Sequence, residues 1–71
     1  MTIIKENCIE IDGKEYSFKF DYTIIKDNGK YNLYITKDNN KLLIKKLNNK
    51  EDANILYLLL KQYTNIIYKK Y

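Results

Sequence analysis

The chain of 71 residues is long enough for one small domain, residues 1–71, but too short to enclose a deep substrate cavity. Its net charge is +4, and all thirteen basic residues are lysines, which lack the two-pronged guanidinium that arginine offers to guanine edges and phosphates. The chain has no histidine, one serine and one cysteine, so it lacks the base and the activated nucleophile of most enzymes. We therefore expect a non-enzymatic protein without a cofactor or a metal.

The apolar stretches of the chain are short. The longest, residues 56–60, is far below the roughly 20 residues that cross a bilayer, and the first residues show no signal-peptide pattern. Cys8, the single cysteine, can form no internal disulfide, which agrees with a reducing compartment. These features predict a cytoplasmic protein that does not enter a membrane.

A first hairpin is predicted at Asp12-Gly13, a pair typical of the type I′ turn. This turn sets Ile9 opposite Tyr16 and, if both strands continue, Ile3 opposite Tyr22. The second strand would then alternate, with one face made of Tyr16, Phe18, Phe20, Tyr22 and Ile24. We expect this aromatic face to lie in the core.

Two further turns follow. Asn28-Gly29 predicts a hairpin that sets Ile24 opposite Leu33, and this register keeps the apolar faces together. Asn39-Asn40 is a weaker signal without glycine, and it sets Ile44 opposite Ile35. Three hairpins predict a four-stranded antiparallel meander.

The hydrophobic period changes after residue 47. Asn48-Asn49 can cap a helix, and acidic residues follow in its first turn. A stripe with the helical period of 3.6 comprises Ile55, Leu56, Leu59, Leu60, Tyr63, Ile66 and Ile67. We predict one C-terminal helix from about residue 50 to 69, packed on the aromatic face of the sheet. The expected fold class is α+β, with the element order ββββα.

The opposite face of the sheet is expected to carry apolar side chains that do not belong to the core. By the predicted registers these are Ile25, Tyr34, Leu43 and Leu47, with Lys45 at their rim. Such a cluster is typical of a protein-binding patch. Its other explanation is that the fourth strand pairs in a different register. The fourth strand would also be an edge, which offers backbone groups for strand addition or for dimerisation.

Nucleic-acid binding is the second hypothesis. Residues 1–29 hold four lysines and six acids, whereas residues 30–71 hold nine lysines and three acids. Tyrosines among lysines can stack on bases and meet phosphates. The candidate contacts on the predicted helix are Tyr57, Lys61, Tyr68, Lys69 and Lys70, followed by Tyr71. A steep loss of affinity with salt would favour this hypothesis, whereas an apolar protein interface is nearly insensitive to salt.

Three segments carry a resemblance to known sequences: residues 15–20 (EYSFKF), residues 30–35 (KYNLYI) and the leucine run 56–60 with the Lys-Gln-Tyr that follows. Together they resemble a family of short uncharacterised proteins from low-GC, Clostridia-type bacteria. That family has no assigned activity, so the resemblance implies no functional residue. The first hypothesis is therefore a small regulator, an adaptor or inhibitor of the kind encoded by mobile elements, that binds one protein partner.

Overall fold

The computed structural model describes residues 1–70, with Lys70 described by its backbone alone, and it shows a small α+β domain with two sheets and one helix. In chain order its elements are β1 (Thr2–Ile4), β2 (Cys8–Ile11), β3 (Lys14–Ser17), β4 (Asp21–Asp27), β5 (Lys30–Lys37), β6 (Asn40–Leu47), α1 (Lys50–Lys61) and β7 (Ile66–Lys70). Strands β1, β2 and β3 form one antiparallel sheet. The second sheet has the order β6-β5-β4-β7, in which β7 runs parallel to β4. The predicted single antiparallel meander is therefore wrong.

The first hairpin is confirmed in its turn and register. Asp12 and Gly13 both have positive φ, 51° and 86°, as a type I′ turn requires. Ile9 pairs with Tyr16, and Cys8 pairs with Ser17 on the opposite face. The local sequence signal was sufficient here because the turn alone determines which residues of a short hairpin face each other.

The continuation of this hairpin is not as predicted. Ile3 pairs with Glu10 instead of Tyr22, because the chain reverses after β1 and adds β1 to the other edge of β2. The second strand also breaks after Ser17, whose hydroxyl accepts a hydrogen bond from the Lys19 backbone nitrogen at 3.1 Å. The Phe18 backbone nitrogen donates its hydrogen bond to a carbonyl oxygen in a loop. Residues 18–20 therefore leave the strand, and the predicted aromatic strand is divided between the two sheets.

The second hairpin agrees with the prediction along its whole length. Tyr22 pairs with Ile35 and Ile24 pairs with Leu33. The turn residues Asn28 and Gly29 have φ of 51° and 76°. All four of the paired side chains are buried, so this hairpin forms the centre of the core.

We expect Gly29→Val to lower the free energy of unfolding by roughly 1–2 kcal/mol, because a β-branched residue resists the left-handed conformation. No atom lies within 4 Å of where a Cβ would stand at Gly29, so the cost comes from the backbone and not from a clash. Asn39→Gly is the control, since Asn39 has φ of 67° and glycine adopts this conformation readily. Urea denaturation should show the loss for the first variant and no loss for the second. An unchanged Gly29→Val variant would contradict the role of this turn in stability.

The third hairpin turns one residue earlier than predicted. Asp38 and Asn39 occupy the turn with φ of 52° and 67°, and Leu42 lies opposite Ile35 where Ile44 was expected. Both aspartate and asparagine tolerate the left-handed region, so a tight turn forms here without glycine. The predicted register of this strand is therefore wrong by two residues near the turn.

A β-bulge then changes the register of β6 again. Tyr34 pairs with Leu43, but the neighbouring Leu33 pairs with Lys45, which leaves Ile44 as an extra residue. One extra residue turns all following side chains of the strand to the opposite face. Lys45 and Leu47 consequently face the core side of the sheet, and Lys46 faces the opposite side.

Helix α1 begins where the sequence predicted. Asn49 is the N-cap, and its side-chain oxygen accepts a hydrogen bond from the Asp52 backbone nitrogen at 2.8 Å. The helix ends at Lys61, however, and not near residue 69. After it, the Thr64 hydroxyl lies 2.7 Å from the Phe18 carbonyl oxygen and 2.8 Å from that of Phe20, which holds the chain beside the start of β4. The last part of the predicted helix is instead β7.

The core lies between the four-stranded sheet on one side and the helix with the three-stranded sheet on the other. Its buried apolar residues are Ile9, Ile11, Tyr22, Ile24, Tyr31, Leu33, Ile35, Leu47, Ala53, Leu56 and Leu60. The helix therefore packs on the predicted face of Tyr22 and Leu33. Phe18 and Phe20 are only half-buried, because they lie in the connection between the two sheets.

Candidate functional site

The face of the four-stranded sheet that points away from the core is called here the open face. Strand alternation places on it the residues that neighbour the buried ones in sequence. Its members are Asp21, Thr23, Ile25, Asp27, Lys30, Asn32, Tyr34, Thr36, Lys41, Leu43, Lys46, Ile67 and Lys69. Leu43 and Ile67 are 44% and 57% exposed, which shows that no element within residues 1–70 covers them.

An apolar row crosses the open face from one edge strand to the other. Leu43 pairs with Tyr34, Tyr34 pairs with Thr23, and Thr23 pairs with Ile67, so the four side chains stand side by side on β6, β5, β4 and β7. This apolar row brings together Tyr34 and Leu43, which the sequence had selected. It also contains Thr23 and Ile67, which the sequence reasoning missed because β7 was taken for helix.

Lysines flank the apolar row on both sides. On one side the next row consists of Lys46, Asn32, Ile25 and Lys69. On the other side it consists of Lys41, Thr36 and Asp21. Asp27 and Lys30 pair beyond the first of these rows, so the open face has an apolar centre with four lysines and two carboxylates around it.

Two of the predicted contact residues are not on the open face. The bulge at Ile44 turns Lys45 and Leu47 to the core side, where Leu47 is only 8% exposed. The Lys45 ammonium lies 2.8 Å from a carboxylate oxygen of Asp12 in the first hairpin. This hydrogen bond, together with that from the N-terminal ammonium, lowers the pKa of Asp12 below its ordinary value. Lys45 thus joins the two sheets and Leu47 lies in the core, so neither is available to a partner on the open face.

The residues of the nucleic-acid hypothesis are divided between two faces. Tyr57 packs edge-on against Tyr68 with ring centroids 5.7 Å apart, and the Lys61 ammonium lies 5.8 Å from the Tyr57 ring centroid. Burial raises the pKa of the half-buried Tyr68 hydroxyl. Lys69 follows Tyr68 on β7 and so points to the open face instead. The side chain of Lys70 and all of Tyr71 lie outside the described residues.

A second apolar region lies beside helix α1. Here a groove of about 260 Å³ is lined by Leu47, Leu56 and Leu59, with Lys45 and Asp52 among its other lining residues. Ile55 and Leu58, on the outer side of the helix, are 63% and 58% exposed. Lys45 and Asp52 carry opposite charges, so the groove shows no preference for an acidic or a basic partner.

The residues with intrinsic reactivity are not assembled into a site. Cys8 is half-buried opposite Ser17, with no histidine anywhere in the chain to activate either group. Within residues 1–70, no three histidine, cysteine or carboxylate side chains lie close enough together to hold a metal ion.

No protein-family model, curated protein or solved structure in our comparisons matches this chain. The resemblance to short proteins of low-GC bacteria therefore stays a prediction. Helix α1 has 12 residues, and no helix within the described part of the chain is long and apolar enough to cross a membrane.

Proposed function

We propose that this chain is a small non-enzymatic regulator, an adaptor or inhibitor of the kind encoded by mobile elements, that binds a protein partner on its open face. The observation that supports the proposal is the apolar row of Leu43, Tyr34, Thr23 and Ile67 on a face that no element of residues 1–70 covers. A tyrosine between aliphatic side chains is typical of the centre of a protein interface, because its rigid ring buries a large area at a low entropy cost.

The charges around the apolar row favour an acidic partner. The open face carries four exposed lysines against the two carboxylates of Asp21 and Asp27; the lysines are Lys30, Lys41, Lys46 and Lys69. Lysines at the rim of an interface steer a negatively charged surface towards it and disfavour a positive one. They also disfavour pairing of two open faces of this same chain.

The edge strand β6 offers the partner a second mode of contact next to the open face, through its backbone. It ends the strand order β6-β5-β4-β7, so its outer backbone groups have no strand partner within residues 1–70. An extended segment of the partner could add there while its side chains reach Leu43. Lysines in β6 and β7 discourage the same pairing between two copies of this chain. We therefore do not expect the free protein to dimerise through its edge strands. The lone thiol agrees with action in the cytoplasm.

We expect Tyr34→Ala to weaken partner binding about tenfold, since truncation of a central interface aromatic commonly costs more than about 1 kcal/mol. The variant should stay folded, because Tyr34 lies outside the core. The measurement is affinity capture from a lysate of the source organism, quantified protein by protein. A partner should be lost with both Tyr34→Ala and Leu43→Asp but retained with Leu58→Asp, which changes another exposed leucine, on α1.

The same experiment distinguishes the protein-binding proposal from the nucleic-acid hypothesis. If capture is insensitive to Tyr34→Ala but is lost on nuclease treatment, at raised salt or with Lys69→Glu, the protein-binding proposal is wrong. The structure lends less support to this alternative, since two of its tyrosines pack against each other and not towards a common surface with Lys69.

A further inference from the structure

A polar concavity of about 570 Å³ lies at one end of the open face, where β4 and β7 begin. Its polar lining consists of Asp21, Thr23, Thr36, Lys41, Asn65 and Lys69. The two lysines come from β6 and β7, the opposite edge strands, so they flank the concavity from both sides. It is continuous with the apolar row, because Thr23 and Ile67 line both.

Thr23 brings a hydrogen-bond donor, its hydroxyl, to the lining of this concavity. Thr23 is only 5% exposed, and its side chain makes no hydrogen bond to any atom of residues 1–70. Because this hydroxyl opens onto the concavity, it is free to donate a hydrogen bond to a bound ligand. A ligand oxygen at this position would accept it.

The charges identify the chemical nature of that oxygen. Two ammonium groups line the concavity against the single carboxylate of Asp21, so its net charge favours an anion. Lysine presents a compact point charge that pairs with a carboxylate or a phosphate, and a protein partner of the kind proposed supplies carboxylates on its acidic side chains. The adjacent side chains of Ile67 and Tyr34 suit the aliphatic part of a peptide.

We infer that the polar concavity binds the carboxylate of an aspartate or glutamate side chain in the partner protein. Thr23 donates its hydroxyl hydrogen to this carboxylate, and Lys41 and Lys69 neutralise its charge. The apolar row, which shares Thr23 and Ile67 with the concavity, takes the apolar neighbours of that acidic residue. This inference rests on the proposed function, since it names the chemistry that the open face recognises.

The test uses a defined probe, a peptide of alternating isoleucine and glutamate with blocked ends, titrated into the ¹⁵N-labelled protein. We expect shifts of the amide resonances of Thr23, Thr36 and Lys41. The matched peptide with glutamine in place of glutamate should bind about tenfold more weakly, as should the glutamate peptide to Thr23→Val, because each change removes a hydrogen bond to a charged group. Thr2→Val, an exposed threonine on β1, is the control and should bind normally.

The outcomes distinguish the two proposals. Equal binding of both peptides, or unchanged binding by Thr23→Val and Lys41→Met while Tyr34→Ala weakens it, would overturn the carboxylate site and leave the open face intact as a binding surface. Shifts confined to the groove beside α1, or no shifts at all, would overturn both. Lys41→Met changes an exposed side chain, so it keeps the test valid if Thr23→Val fails to fold. Preferential binding of oligothymidylate over the glutamate peptide would also reject the site as proposed.

Discussion

Leu60→Ala should lower the free energy of unfolding by about 3–5 kcal/mol, whereas Leu58→Ala, two residues away in the same helix, should change it by less than about 1 kcal/mol. The Leu60 side chain is fully buried on the side of α1 that packs on the sheet, whereas Leu58 is 58% exposed. Both changes remove the same atoms from a helix, so the helix propensity changes equally. Only at Leu60 does the change leave a cavity in addition to the lost burial.

The loss at Leu60 is large compared with the stability of the whole domain. At roughly 0.05–0.15 kcal/mol per residue, this chain has a free energy of unfolding of only about 4–10 kcal/mol. A fall of 3 kcal/mol corresponds to a decrease in Tm of about 12–24 °C in a domain of this size. Thermal unfolding followed by far-ultraviolet circular dichroism measures both variants. Equal decreases for Leu60→Ala and Leu58→Ala would show that α1 does not pack on the sheet in the orientation described.

Raising the pH from about 10 to about 12 should destabilise the protein through Tyr22, by about 2–3 kcal/mol in total. The Tyr22 side chain is 1% exposed, and its hydroxyl donates a hydrogen bond to the Ser17 carbonyl oxygen at 2.7 Å. Burial raises the pKa of this hydroxyl to about 12, from an ordinary value of 10.0. The folded state therefore holds the proton more tightly than the unfolded state does.

The direction of this effect follows from the two pKa values. Below a pH of about 10 the hydroxyl is protonated in both states, so its contribution to stability is fully present. Between about 10 and 12 the unfolded state loses the proton first, and the free energy of unfolding falls by about 1.4 kcal/mol for each pH unit. Above about 12 both states are ionised and no further loss comes from this group.

Tyr22→Phe isolates the effect. This variant loses the hydrogen bond to Ser17, which costs about 1–2 kcal/mol at neutral pH, but it also loses the ionisable group. Between about pH 8 and pH 11 its stability should fall by about 1.4 kcal/mol less than that of the unmodified chain. Tyr63→Phe is the matched control for removal of a phenol hydroxyl, because Tyr63 is 48% exposed, and it should leave the free energy of unfolding at neutral pH nearly unchanged. The same pH dependence in Tyr22→Phe and in the unmodified chain would show that Tyr22 is not the group responsible.

The residues of the open face show how far sequence reasoning reached at the candidate site. Ile25, Tyr34 and Leu43 were placed on the correct face, since each lies within four pairs of a hairpin turn and its face follows from strand alternation. Lys45 and Leu47 were misplaced, because the bulge at Ile44 has no signal in the local sequence. Bulges satisfy packing demands of the whole sheet, and these appear only when the neighbouring elements are in place.

Thr23 and Ile67 were missed for a different reason. Their importance depends on the parallel pairing of β4 with β7, which joins residues more than forty positions apart. The stripe of Ile66 and Ile67 continues the helical period, so a periodicity argument extends the helix through them. Two adjacent β-branched residues after Thr64-Asn65 were the available sign of a strand.

The sequence by itself determined the two glycine-containing hairpins, the register within each of them, the start of α1 at Asn49 and the side of the central strands that is buried. These features depend on contacts between residues close in the chain, where turn geometry and side-chain alternation leave one solution. The tertiary structure decided the division into two sheets, the end of the helix and the addition of β7. Tyr22 donates its backbone hydrogen bond to the Asn65 carbonyl oxygen at 3.0 Å, and the Thr64 hydroxyl reaches the Phe18 and Phe20 carbonyls. Buried backbone groups must find hydrogen-bond partners, and for these groups the partners are distant in sequence, so only the folded chain selects them.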